Sequence, residues 1–205
     1  ANALVRRAKS GSMAAIAIGH VTKEGTLAGP RVLEHVVDTV LSFEGERHHA
    51  LRVLRAHKHR FGSTRELGLF EMRGDGLRDV PDASALFLAD RREGGSGSAV
   101  TAVLEGVRPL LVEVQALVAP TNAPMPRRSA QGMDGGRLAL LLGVLERRAR
   151  VALGSFDVYA NVTGGIRVDE PAADLAVAVA LASAATDRPI PSDLVVLGEV
   201  GLGGE

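Results

Sequence analysis

Met13-Ala-Ala-Ile-Ala-Ile18, followed at once by Gly19-His20-Val-Thr-Lys23-Glu-Gly25-Thr-Leu-Ala28-Gly29-Pro30-Arg31, is the stretch that decides the fold. Six apolar residues in a row, without alternation, suit a strand covered on both faces, as in the parallel sheet of an α/β protein. In such sheets ligands bind beyond the carboxyl ends of the strands. His20 stands at that end, and a polar, glycine-containing loop (21–30) follows it. Two readings of this end stay open: a nucleotide-contacting tip with a responsive loop, or an ordinary surface loop.

Upstream, residues 1–9 read as the end of a helix closed by Ser10-Gly11-Ser12. The chain begins mid-helix and without Met, so it is expected to be a piece of a longer protein. Downstream, residues 31–35 suit one helical turn. Residues 36–44 and 50–57 read as two strands of a hairpin, with residues 66–72 as a third. Arg91-Arg-Glu-Gly-Gly-Ser-Gly-Ser98 is the clearest linker. It divides the chain into residues 1–92, a linker at 93–98, and residues 99–205.

Beyond the linker, residues 99–105 and 109–118 form an expected antiparallel pair around Gly106, with Leu110, Val112, Val114 and Ala116 on one face. Asp134 is placed to cap a helix reaching about Arg150, on which Leu138, Leu141, Leu142 and Leu145 make one apolar stripe. Residues 157–162 alternate like a strand. Pro171 opens an alanine-rich helix with Asp174 near its positive end. Residues 194–197 read as another buried strand.

Composition removes several functions. The 205 residues include no Cys, which excludes disulfides, thiol catalysis and cysteine-based zinc sites. Formal net charge is +0, so attraction to nucleic acid must come from local patches. No apolar run reaches the ~18 residues that span a bilayer, and the N-terminus does not read as a signal peptide. His48, His49, His57 and His59 cluster in sequence, but no carboxylate spacing completes a metal site, and none is expected.

The second chemical signal is His57-Lys58-His59-Arg60-Phe61-Gly62 at a strand end. Alternation points Lys58 and Arg60 the same way, with His59 opposite and Phe61 able to bury beneath the cations. Such a pair can grip a phosphate, or it can be a solvated edge strand whose charges oppose aggregation. Arg127-Arg128, beside Pro124 and Pro126, admits the same two readings.

Taken together, these residues are more specific. The run Gly19 to His35 resembles the RadA/Sms family of bacterial RecA paralogues. Lys58-His-Arg60-Phe-Gly-Ser-Thr64 resembles that family's Lys-Asn-Arg-Phe-Gly motif, with His59 in place of Asn. The likeness continues through residues 108–118, 126–128, 137–145, 161–168 and 198–202, nearly the whole chain. It implies an α/β chain: the C-terminal half of a RecA-like P-loop ATPase core, then an α+β Lon-protease-like domain of the ribosomal S5 domain 2 type.

By the same resemblance, the full-length protein is expected to be a cytoplasmic, nucleoid-associated, DNA-dependent ATPase and helicase. It would use ATP and Mg2+, form a hexameric ring, act on single-stranded DNA and recombination intermediates beside a RecA-type recombinase, and touch no membrane. Lys58 and Arg60 would contact ATP of the neighbouring subunit. His20 would sense nucleotide. Lys23 and Arg31, with Arg127 and Arg128 as further candidates, would bind DNA. Zinc would belong only to the N-terminal part this chain lacks.

Lys9, Lys23 and Lys58 are the only lysines, and none follows Gly-x-x-x-x-Gly. The chain by itself is therefore expected to be inactive as an ATPase. Ala172, in Glu170-Pro-Ala-Ala-Asp174, occupies the position of the Lon-type Ser nucleophile, so no peptidase is expected either. Ser183 reads as a packing residue. The alternatives are a non-enzymatic oligomerisation or DNA-binding module and, less favoured, a Ser-Lys peptidase.

Overall fold

Alternating apolar patterns in the sequence become two four-stranded sheets in the computed structural model, which describes residues 2–11, 13–20, 32–45 and 51–205. Helix α1 (Asn2–Ser10) and the short α2 (Val32–Val36) precede the first sheet. That sheet is an antiparallel meander of β1 (Thr39–Glu44), β2 (Leu51–His59), β3 (Leu67–Arg73) and β4 (Gly76–Asp79). Helix α3 (Ala83–Leu88) follows, started by Asp82, whose carboxylate accepts the Ala85 N–H at 3.0 Å.

The second sheet has the order β5 (Ser98–Glu105), β6 (Arg108–Pro120), β8 (Phe156–Val162), β7 (Arg128–Gln131). Only β7 and β8 run parallel, so the sheet is mixed. Helices α4 (Gly135–Arg147) and α5 (Asp174–Thr186) pack on one of its faces. As the sequence implies, Asp134 caps α4 by accepting the Arg137 N–H at 2.8 Å, and Leu138, Leu141, Leu142 and Leu145 are buried. Each such leucine contributes roughly 1.5–3 kcal/mol by leaving water. Helix α5 is buried nearly all round through Ala176, Val177, Ala178, Ala180 and Leu181. Its small side chains let it lie close to β6, which is how a core with 3% aromatic residues fills its space.

Residues on either side of the 93–98 segment share one core. Leu51, Leu69, Val80, Ala83 and Phe87 pack with Val103, Leu110, Val112, Val162 and Val168. Polar contacts cross the same seam: Val107 N–H donates to Arg65 O at 3.1 Å, and Leu111 N–H to Ser84 Oγ at 3.0 Å. Arg55 reaches both Glu105 and Glu44, and its pKa is raised chiefly by the hydrogen bond to Glu105.

Two expected strands are not formed. Residues 13–20 form no strand or helix, with Ile16 and Ile18 91% and 95% exposed. A parallel strand requires hydrogen-bonding neighbours, and none of the described residues lies beside it as a strand. Residues 194–197 make one bridge, Val195 to Val100, and leave Leu194, Val195 and Leu197 exposed. They lie outside the β5 edge, where only Val196 turns inward. The sequence reading also passed over β4, α3 and β7.

The first sheet leaves one face open. The pairs Leu41–Ala56, Phe43–Leu54 and Met72–Leu77 put these residues on a common face, where Leu41, Phe43, Met72 and Leu77 are exposed. The rings of Phe43 and Phe70 stand 5.9 Å apart on it.

Candidate functional site

The basic strand end of β2 is built by β1 and α2. Lys58 pairs with Val40 and His59 with Thr39. Between Val40 and Leu41 the register slips, leaving His57 as the extra, bulged residue. The Lys58 ammonium donates to Glu34 O at 2.8 Å and His35 O at 3.1 Å. These are carbonyls at the end of α2 that lack intrahelical partners. Arg60 N–H donates to Asp38 O at 2.9 Å, and its guanidinium meets Asp38 Oδ1 at 3.1 Å.

The Arg60–Asp38 pair is 59% and 42% exposed, so it contributes only about 0–1 kcal/mol. A stronger anion can therefore displace Asp38 at small cost. Asp38, just before β1, and Val40 are two residues apart, which places Lys58 and Arg60 on the same side. His59 hydrogen-bonds Thr39 Oγ1 at 2.9 Å on the other side. Its ring lies 2.7 Å from where a Cβ on Gly62 would fall, so a side chain at residue 62 would have to push the His59 ring aside.

Phe61 corrects an expectation. It is 78% exposed, in the turn past the end of β2, and among the described residues it belongs to neither core cluster. The histidines do not converge. The bulge sets His57 against Ser42 Oγ at 2.7 Å, while His59 meets Thr39, and these two β1 residues face opposite ways. Among the described residues no group of three His, Asp or Glu could hold a metal ion. His48 and His49 lie outside the described residues.

His20 is exposed at the end of segment 13–20. Lys23, Arg31 and the loop 21–30 lie outside the described residues. Arg127 and Arg128 are on the second sheet, apart from Lys58 and Arg60. The Arg128 guanidinium is spent on backbone carbonyls: Leu153 O at 2.9 Å, Arg127 O at 3.2 Å, and Phe156 O. It ties the 153–156 turn to β7, while the Arg127 side chain is exposed.

At the start of α5, Ala172 lies in a one-turn 3-10 helix (Pro171–Ala173) and offers only a methyl group. Its carbonyl accepts the Gly198 N–H at 2.7 Å, and Gly198 O accepts the Leu175 N–H at 2.9 Å. Two residues on, Asp174 is buried. Its carboxylate takes both arms of Arg137, Nε at 2.8 Å and Nη2, and also the Val200 N–H at 3.2 Å. This hydrogen bond is the main reason the Arg137 pKa is raised. Sequence reasoning noticed Asp174 but missed its partner, 37 residues earlier, because no local pattern marks the pair. Ser183 is a staple: its hydroxyl accepts the Gly97 N–H at 2.9 Å and donates to Arg188 O at 2.5 Å.

Fold and site together define an α/β chain with two mutually packed sheets, one ending in an exposed Lys58/Arg60 pair, the other carrying helix α5 behind the Pro171–Ala173 turn. No family model matches it. Curated relatives do: it is 53% identical to DNA repair protein RadA of Bacillus subtilis and 54% identical to the Listeria monocytogenes protein of that name, each over 98% of this chain and 44% of the relative. The Brucella abortus RadA is 54% identical over 100% of the chain, again 44% of its own length. The chain belongs to the RadA family and spans less than half the length of these relatives. Among the described residues no helix is long and apolar enough to cross a membrane.

Proposed function

We propose that the chain is part of an ATP-dependent, single-stranded-DNA-binding motor that drives branch migration in homologous recombination and DNA repair. Residues 1–92 are the C-terminal part of its RecA-like core and residues 99–205 a Lon-like scaffold, joined at 93–98. The observation that carries this reading is the Lys58/Arg60 pair, held on one side of the β2 end by weak, exchangeable contacts and flanked by an exposed Phe61. In a ring with nucleotide between subunits, this end faces the γ-phosphate of ATP–Mg2+ bound by the neighbour. Charge on the phosphoryl oxygens is then stabilised in the transition state, an effect worth roughly 10³–10⁵ in rate.

His20 reports nucleotide occupancy to the loop at 21–30, where Lys23 and Arg31 contact DNA. Arg127 adds an exposed cation, and Arg128 has a structural duty as well. The exposed segment 13–20 and the open apolar face of the first sheet are surfaces for the rest of the motor to cover. Partners are further copies in a hexameric ring and a RecA-type recombinase, in the bacterial cytoplasm at the nucleoid.

Arg60→Ala in the full-length protein tests the reading. DNA-stimulated ATP hydrolysis should fall by at least two orders of magnitude with nucleotide binding retained. Mixing this variant with a P-loop variant should restore part of the activity. Normal hydrolysis by Arg60→Ala, or mixed rings that stay inert, overturns the role in trans. A second reading, a non-enzymatic assembly module, is favoured by the exposed Phe61 and the open sheet face, and predicts oligomers unaffected by Arg60→Ala. A Ser-Lys peptidase is disfavoured by Ala172 and by the buried, fully engaged Ser183.

A further inference from the structure

A cavity of about 420 Å³ lies between segment 90–98 and the face of the second sheet turned away from α4 and α5. The register pairs Ser98 with Gln115 and Gln115 with Asn161, and Glu113 stands two residues before Gln115, so these side chains share that face. The cavity wall is fastened. Ser96 Oγ donates to Asp187 at 2.6 Å, Gly97 N–H to Ser183 Oγ, Ala116 N–H to Gly97 O at 2.7 Å, and Arg91 to Ser192 O at 2.7 Å. Gly97 has φ +81°, and a Cβ there would meet Ala116 O at 2.3 Å, so only glycine permits this approach.

Glu113 lines the cavity and is 3% exposed. Its Oε1 accepts from Ser98 Oγ and its Oε2 from Gln115 Nε2 at 2.9 Å. Both donors are neutral. Among the described residues no Lys, Arg or His forms an ion pair with it. Buried carboxylates are normally paired with a cation, because neutral donors replace only part of the lost hydration. Each oxygen keeps lone-pair capacity after one bond.

We propose that this cavity is a receptor for an arginine side chain presented by another polypeptide. The two free lone-pair sites of Glu113 match the parallel N–H pair of a guanidinium, a geometry an ammonium lacks. Asp90 adds a second negative charge, and Tyr159 also lines the cavity, an aromatic residue of the kind that attracts guanidinium groups. Arg92, exposed, is the cation of the chain that also lines the cavity. The inference does not rest on the motor reading.

Tyr159 is the only tyrosine of the chain, which has no tryptophan, so its fluorescence reports this cavity directly. Titration of the 205-residue chain with Nα-acetyl-arginine-N-methylamide should give a saturable change, with the lysine and citrulline analogues at least tenfold weaker. Glu113→Gln should weaken arginine binding at least tenfold, and Arg92→Ala should leave it intact or tighten it. Should Glu113→Gln not fold, Gln115→Lys, at an exposed position beside Glu113, should abolish binding by supplying a cation in place. Equal binding of the citrulline analogue, or unchanged affinity in Glu113→Gln, overturns the proposal. So does binding seen only in Arg92→Ala, which would make Arg92 the resident cation. Guanidinium chloride binding as tightly as the amide assigns the site to small cations and overturns the polypeptide partner.

Discussion

Replacing Arg137 by Met should destabilise the chain by about 2–3 kcal/mol, near the low end of what breaking a buried ion pair costs. The Asp174 side chain is 4% exposed, whereas that of Arg137 is 33% exposed. Removing the guanidinium strands a buried carboxylate with one remaining donor, the Val200 N–H. Losing one partner of a fully buried pair costs about 3–5 kcal/mol, and losing an exposed pair about 0–1 kcal/mol. The partial exposure of Arg137 lets water reach the vacated position, which sets the expectation between them. Met keeps the aliphatic packing of the arginine stem, so the loss reports charge.

Urea unfolding gives the free energy, and thermal unfolding should show a midpoint lower by about 4–12 °C for a chain of this size. The double variant Arg137→Met with Asp174→Asn should recover most of the loss, because no buried charge then remains. A single-variant loss below about 0.5 kcal/mol, within the range of surface changes, or a double variant no better than the single, refutes the reasoning. The pH dependence carries a sign as well. The Arg137 pKa is raised above the ordinary arginine value, chiefly by the hydrogen bond to Asp174. Its stabilisation is therefore fully present below that ordinary value and is lost only as pH rises through the raised one, so stability should not fall on this account from neutral to moderately alkaline pH.

Thr101 is fully buried and its Oγ1 has no hydrogen-bond partner, so Thr101→Val should raise stability by about 1 kcal/mol, measured by urea unfolding. Ser183→Ala should cost about 1–3 kcal/mol, because the Gly97 N–H loses its acceptor inside the fold. The same variant should increase proteolytic nicking in segment 90–98, which Ser183 fastens. Phe61→Ser should leave stability within about 0.5 kcal/mol, as an exposed side chain requires; a loss of about 3 kcal/mol or more, typical of a core phenylalanine, would restore the buried reading of Phe61.

Elements whose signal is local were legible in the sequence. Asp134 and the leucine stripe announced α4, and strict alternation from Leu110 to Ala116 gave the inner face of β6. The Lys58/Arg60 pair was legible because alternation resumes beyond the His57 bulge and carries through the end of β2. Helix α3 carried a readable cap in Asp82 that the sequence reading passed over, while β4 and β7, with four residues each, are too short for a period to emerge.

By itself the sequence determined the α/β class, the lack of Cys and of a Gly-x-x-x-x-Gly-Lys run in these 205 residues, and the resemblance to RadA proteins. All of these follow from residue identity or from periods of a few residues. Only the tertiary structure decided that residues 13–18 stand unpaired, that Phe61 is exposed, that Arg137 holds Asp174, and that the buried Glu113 is hydrogen-bonded by Ser98 and Gln115. An apolar run records that a strand prefers to be covered, not which chain covers it. A lone carboxylate records its charge, not whether a guanidinium 37 residues away is folded against it. Long-range pairing is set by how sheets and helices stack, and hydrophobic periodicity carries no address for the partner.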